Sequence, residues 1–124
     1  MSGKLKPLSK KKALKCVPEK NSLVKETRLE SGDLILSYPV AYKPFMARVR
    51  KLIGQDKDKT FTRKIQLDAL GVHVWALIDG KKTVKNLIDT FAADYQVHYK
   101  ESEASVTLFL KSLGEKGLIL IREP

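Results

Sequence analysis

Between Leu67 and Leu113 the apolar residues recur at helical spacing, in three separate bursts divided by turn signals. Asp68 is a good N-cap for the first, because a short acidic side chain accepts hydrogen bonds from the unpaired amides of an opening helical turn. Leu70, Val74, Leu77 and Ile78 then fall on one face, and Gly80 after Asp79 is a stop. Thr83 caps the second burst, in which Val84, Leu87, Ile88, Phe91 and Tyr95 follow the i, i+3, i+4, i+7 pattern without a miss. The third is expected to start near Ser102, with Glu101 and Glu103 at its positive end. It carries Val106, Phe109, Leu110 and Leu113 inward and stops at Gly114 or Gly117. Three short amphipathic helices on tight connections cannot each bury a face alone, so they must pack as a helix-turn-helix-like unit.

Strand periodicity lies on either side of this unit. Leu23 to Val40 reads as a hairpin about a two-residue Ser31-Gly32 turn, since glycine tolerates positive φ. In its second arm Leu34, Leu36, Tyr38 and Val40 alternate with Ile35, Ser37 and Pro39, giving one apolar face to meet the helices. Pro39 cannot donate to a ladder and should mark a strand end or an edge. Phe61, Arg63, Ile65 and Leu67 alternate with Thr62, Lys64 and Gln66, a third strand running directly into the first helix. Gly117 to Arg122 reads as a short closing strand able to pair with the hairpin as a wing, and its continuous apolar run implies burial on both faces. The fold class is therefore α+β: a winged helix-turn-helix-like domain with a three-stranded antiparallel N-terminal sheet, three helices and a short C-terminal strand.

The chain of 124 residues is long enough for one domain with appendages. Its formal charge of +10 is unevenly placed. Residues 1–20 carry +6 and residues 41–64 another +6, whereas residues 65–124 carry −1, so the helical unit is close to neutral. Residues 1–21, Lys-rich with Pro7 and Pro18, read as a disordered basic tail, or as an arm for anionic partners. The folded domain spans residues 22–124, with a basic insertion at about 41–60 in which Phe45, Val49, Leu52 and Ile53 suggest a short amphipathic helix. No apolar run approaches the roughly 20 residues that span a bilayer, and the basic N-terminus lacks the apolar core of a secretory signal. One cysteine, Cys16, excludes an internal disulfide and fits a reducing cytoplasm.

Catalytic chemistry is scarce in the sequence. His73 and His98 have no cysteine partner at zinc-ligand spacing, and a partly exposed packing role suits His73 better than ligation. Cys16 has no helix N-terminus or fixed base beside it to make it a nucleophile. Gly32, Gly54, Gly71 and Gly80 are isolated, so no phosphate-cradling loop exists, and Asp79 and Asp89 are separate acids rather than a pair. We expect a binding protein, not an enzyme, with no cofactor and no metal.

The ordered set Leu67-Asp68, Gly71, Trp75, Leu77-Ile78-Asp79-Gly80, Thr83-Val84, Phe109-Leu110, Leu113 and Gly117-Leu118-Ile119 resembles the pyrroloquinoline quinone biosynthesis protein D (PqqD) family. Asp68 and Leu70 stand where that family usually has Asn and Thr. The resemblance implies a non-catalytic winged-helix module that recognises the leader of a ribosomally made precursor peptide. It also implies a partner, often a radical S-adenosylmethionine enzyme, to which the leader is presented.

Two binding modes follow. A winged helix can bind DNA through a recognition helix, but Ser102 to Lys116 sets Glu103 and Glu115 against Lys111 and Lys116 and has no arginine to read guanine edges. Nucleic acid is therefore the alternative partner. The preferred mode is peptide capture by strand addition to a free sheet edge. With sheet order following chain order, that edge is Phe61–Leu67: the backbone of Thr62, Arg63, Lys64, Ile65 and Gln66 pairs with the peptide, and Arg63 and Lys64 meet acidic leader residues. Val106, Phe109, Leu110 and Leu113 are the candidate groove walls, although apolar residues at helical spacing are equally the makings of a core. Arg63 and Lys64 also read as charges that keep an open edge from aggregating. A monomer is expected, or a weak homodimer through that edge.

Overall fold

The structure, a computed structural model, describes residues 10–40 and 61–123; the amphipathic helix expected within the insertion lies outside them. The chain divides into two compact units, one of residues 22–69 and the other joining residues up to 21 with those from 70 onward.

In the first unit, β2 (Lys25–Arg28), β3 (Leu34–Val40) and β4 (Phe61–Leu67) form an antiparallel sheet in the order β2-β3-β4. This is the expected three-stranded sheet in chain order. Period two does its work in β3: Leu34, Leu36 and Tyr38 are buried while Ile35 and Ser37 are half-buried on the other side. The hairpin closes through three residues, not two. Leu29 N–H donates to the Asp33 carbonyl (2.8 Å) and Gly32 N–H to the Leu29 carbonyl (3.0 Å). Gly32 takes φ +95° at the last loop position, where a left-handed residue lets a right-handed turn match the strand twist. Pro39 falls near a strand end as expected, the last residue but one of β3, where it pairs with Thr62. It is tolerated because β2 begins at Lys25, opposite Ser37, so no β2 residue stands across from Pro39 to need its missing N–H.

The second unit begins earlier in the chain than composition suggests. Residues 10–20, expected to be tail, carry α1 (Lys10–Leu14) and β1 (Val17–Lys20), and β1 pairs antiparallel with β5 (Ile119–Arg122). The closing strand therefore pairs with the N-terminal segment and not with the hairpin. Nor is it buried on both faces: Ile119 is buried, but Leu120 is 64% exposed, because a two-stranded ribbon has a solvent side. Asn21 N–H donates to the Leu118 carbonyl, so hydrogen-bonded pairs alternate to Glu19–Leu120 and Val17–Arg122. Pro18 consequently falls at a position that owes the ladder no donor. Cys16, 1% exposed, sends its thiol toward the Lys12 carbonyl (3.5 Å), and Lys10 Nζ reaches Glu103 at 3.2 Å.

The first expected helix, α2 (Ala69–Leu77), forms, but its inward stripe is Gly71, Val74 and Trp75 rather than the face through Leu70 and Leu77. Leu70 is 49% exposed, Leu77 is half-buried, and Ile78 just beyond the helix is buried as expected. The segment is apolar nearly all round, so its pattern cannot fix its own phase; the large indole of Trp75 takes the interior position, with Lys20 Nζ 4.7 Å from its ring centroid.

Asp79 organises the turn that follows. One carboxylate oxygen accepts from the amides of Lys81 and Lys82 (both 2.9 Å) and the other from Lys82 Nζ (3.0 Å). These bonds, the backbone ones foremost, hold its carboxyl well below the usual carboxylate range. Thr83 then caps α3 (Val84–Tyr95) in a reciprocal capping box: Asn86 N–H donates to Thr83 Oγ1 (3.1 Å), and Thr83 N–H to Asn86 Oδ1 (3.0 Å). Val84, Leu87, Ile88 and Phe91 are buried, while Tyr95 at the stripe's end is 38% exposed and rests on Phe91, centroids 4.7 Å apart.

Helix α4 (Tyr99–Glu115) starts three residues before Ser102, because His98 caps it through Nδ1, which accepts from Lys100 N–H (3.1 Å). Ser102 is instead buried in the helix, donating its hydroxyl to the Ile88 carbonyl at 2.7 Å and tying α4 to α3. The helix ends in a Schellman motif: Leu118 N–H returns to the Leu113 carbonyl (2.9 Å) and Gly117 N–H to that of Gly114 (3.1 Å), with Gly117 at φ +77°. Leu113 and Leu118, the apolar pair such a cap brings together, are both buried.

Candidate functional site

Among the described residues β4 pairs only with β3, which leaves its other side as a sheet edge. Which backbone groups face outward follows from the hairpin. The Leu29–Asp33 bond makes that pair a hydrogen-bonded one, so by alternation Thr27–Ile35 and Lys25–Ser37 are hydrogen-bonded too. Ile35 and Ser37 thus turn their amides and carbonyls toward β2, and Leu34, Leu36 and Tyr38 turn theirs toward β4. Their partners are Leu67, Ile65 and Arg63. The groups left facing away from the sheet belong to Thr62, Lys64 and Gln66.

Side chains sort by the same register. Arg63, Ile65 and Leu67 share the face of Tyr38, Leu36 and Leu34, which is the buried one; Thr62, Lys64 and Gln66 lie on the other, opposite Pro39, Ser37 and Ile35. Along β4 burial falls off toward the start of the strand: Leu67 is buried, Ile65 half-buried and Arg63 exposed. Gln66 is held by Asp33 through Nε2–Oδ2 (2.8 Å), whereas neither Arg63 nor Lys64 has an acidic partner among the described residues. The edge thus offers three outward donor–acceptor positions, two unmatched cations and an apolar half-buried Ile65. All five residues nominated from the sequence as pairing positions lie on this strand; the sequence could not say that only alternate ones present their backbone.

The four residues nominated on the third helix behave differently. Val106, Leu110 and Leu113 are buried in α4, within the helical unit, and Phe109 is half-buried. Phe109 alone of the four retains appreciable surface. Leu108, one position before it and not nominated, is 69% exposed.

Several titratable groups elsewhere are engaged structurally. His73 Nε2 and Asp94 Oδ2 are 2.6 Å apart, joining α2 to α3, and the imidazole meets the Tyr95 ring edge-on at 5.0 Å. Arg122 pairs with Glu19 and also donates to the Gly80 carbonyl at 3.0 Å, fastening the β1–β5 ribbon to the turn before α3. Among the described residues no group of three or more His, Cys, Asp or Glu is placed to hold a metal ion, and no helix is long and apolar enough to cross a membrane.

Comparison with known proteins agrees with this architecture. A solved structure described as TbiB1 in complex with the TbiA(beta) leader peptide superposes with a TM-score of 0.56 at 20% sequence identity, covering 82% of this chain and 93% of that one. At that identity the likeness is one of fold. Among curated proteins no match is found. Residues 56–119, which run through β4 and all three of the helices expected from the sequence, match the family described as Coenzyme PQQ synthesis protein D (PqqD). By that match over more than half of its length, the chain belongs to the PqqD family.

Proposed function

We propose that this protein is a peptide-binding module that takes the leader of a ribosomally made precursor peptide as an added strand on β4 and presents it to a modifying enzyme. One observation carries the reading: the outward backbone of Thr62, Lys64 and Gln66 on a strand that, among the described residues, is paired on one side only. An extended peptide satisfies those groups without displacing any bond within the sheet, and main-chain pairing of this kind supplies affinity while side chains supply selection. Membership of the PqqD family supports the peptide as partner, and so does a structural neighbour solved with a leader peptide. Arg63 and Lys64 suit acidic leader residues. Of the α4 residues nominated from the sequence, Phe109 is half-buried, while Val106, Leu110 and Leu113 serve the interior. The role is non-catalytic, and the enzyme served is a radical S-adenosylmethionine or other peptide-modifying enzyme.

The DNA-binding alternative gains no support from α4, whose Lys100 and Lys111 are outnumbered by Glu101, Glu103 and Glu115. The test is an amide-resolved NMR titration with short precursor-like peptides encoded beside the gene, and with an arbitrary DNA duplex at two salt concentrations. Shifts along residues 61–67 with peptide, weakly dependent on salt, sustain the reading. Shifts produced only by duplex, confined to Lys-rich segments and fading steeply with salt, refute it.

A further inference from the structure

We infer that the segment captured on β4 carries two consecutive acidic residues immediately preceded by an apolar one, read from its N-terminus. The inference rests on the strand-addition reading above and deepens it from a peptide to a peptide of defined pattern. Its basis is that Arg63 and Lys64, adjacent in sequence and both exposed, project from opposite faces of the same edge strand. In an added strand, side chains also alternate faces, and each lies beside that of the residue directly opposite. The residue opposite Lys64 completes the outward hydrogen-bonded pair and places its side chain on the Ser37 face. The residue opposite Arg63 is its neighbour and places its side chain on the Tyr38 face. Two acids on one face, separated by a spacer, match only one of the two cations; two adjacent acids match both.

The next position, opposite Ile65, completes the pattern. Ile65 is half-buried and lies in register with Leu36, which is fully buried, two residues from the buried Leu67. An acid placed there would lose water against an apolar surface, with Arg63 two positions away as its nearest cation on that face; an apolar side chain gains by covering Ile65. Orientation sets the reading order. Every pairing in this sheet is antiparallel, and antiparallel addition is the more stable per residue. An antiparallel strand meets Ile65, then Lys64, then Arg63, which gives apolar–acid–acid from N to C.

The test uses four fluorescein-labelled synthetic peptides with common Thr-rich flanks and the central triplets Val-Asp-Glu, Glu-Asp-Val, Asp-Val-Glu and Val-Asn-Gln. Binding to the full chain is read by fluorescence anisotropy and the site by amide shifts over residues 61–67. Val-Asp-Glu is expected to bind about fivefold or more tightly than Val-Asn-Gln, a margin that two exposed ion pairs can supply and that narrows with added salt. Its margin is smaller over Asp-Val-Glu, which keeps one pair, and over Glu-Asp-Val, which by sliding one position keeps both pairs but sets Thr opposite Ile65. Lys64→Glu should then prefer a peptide with Lys at the middle triplet position, and Arg63→Glu one with Lys at the last. If all four shift residues 61–67 with equal affinity, strand addition stands and the acid-pair pattern is wrong, the two cations being protection against edge pairing. If Asp-Val-Glu or the reversed triplet binds best, the facing or the direction inferred here is wrong. If none shifts those residues, both the pattern and the strand-addition reading fall.

Discussion

The Cys16 carbonyl accepts the amide of Val84 at 2.9 Å, so the first amide of α3 finds its partner in the N-terminal segment of the chain. A helix leaves its opening amides without internal acceptors. The capping box answers for those of Thr83 and Asn86, and Cys16 answers for that of Val84. Residues 10–20 are therefore part of the helical unit rather than an appendage to it.

Deleting residues 1–20 should destabilise the helical unit severely, by more than about 3 kcal/mol, through the lost β1–β5 ladder, the orphaned Val84 amide and the uncovered interior where Cys16 and Pro18 sit. Cys16→Ala, which keeps the carbonyl, should cost no more than about 2 kcal/mol. Urea unfolding followed by far-UV circular dichroism distinguishes these. A truncated chain with an unchanged midpoint would show that the segment only decorates the fold.

The phase of α2 gives a paired prediction. Trp75→Ala, at 2% exposure, should cost about 3–5 kcal/mol, whereas Leu70→Ser, on the open side, should fall within about 0.5 kcal/mol of the parent in thermal melts. The reverse ranking would restore the face drawn from helical spacing alone.

The two outcomes for α2 and α3 show what a single sequence can carry. In α3 charged and polar residues occupy the positions between Val84, Leu87, Ile88 and Phe91, so the stripe has edges and its burial is legible. In α2 only His73 breaks an apolar run, and every rotation of the helix looks alike. The start of α4 was hidden because histidine lies outside the usual capping set, and Ser102, which looks like a cap, spends its hydroxyl on Ile88. The partner of β5 was hidden because pairing between residues a hundred positions apart leaves no local trace. For the candidate edge, strand bounds and face alternation could be read directly, since Phe61–Leu67 alternates cleanly; which amides turn outward depends on the hairpin register, and so on a bond between Leu29 and Asp33.

Gly114 and Gly117 should respond to alanine with opposite signs. Neither has a heavy atom within 4 Å of an added Cβ, so backbone conformation decides. Gly114 is inside α4, where Ala is preferred by about 0.5–1 kcal/mol; Gly117 sits at φ +77°, where a side chain costs about 1–2 kcal/mol. Differential scanning calorimetry of the two variants checks this. A stabilising Gly117→Ala would show that the helix does not end in the left-handed cap.

Asp79 supplies a pH signature. Its carboxyl is held below the usual range in the folded protein, so the stability it contributes is present above the unfolded value of about 4 and is lost as pH falls through the lower folded value. Asp79→Asn keeps an oxygen for the Lys81 and Lys82 amides but gives up the charge. The variant should melt below the parent at pH 7, with the gap narrowing progressively once pH drops under about 4. A gap that stays constant into strong acid would assign the loss to geometry rather than charge.

Proline scanning along β4 separates pairing inward from pairing outward. By register, Ile65 donates its amide to β3 and Lys64 donates its amide away from the sheet. Ile65→Pro therefore removes a bond on which the sheet depends and leaves a Leu36 carbonyl without its donor, at a cost of about 1–3 kcal/mol. Lys64→Pro removes only a donor that the sheet itself never used, and edge strands accommodate proline at such positions. That variant should keep its melting temperature close to the parent's while losing about fivefold or more in affinity for a peptide that shifts residues 61–67, since one main-chain bond is gone and the ring stands in the path of the added strand. Lys64→Ala is the comparison, because it removes the charge and spares the amide, and should weaken binding less. If Lys64→Pro binds peptide as well as the parent does, the peptide does not pair along β4, whatever shifts it produces there.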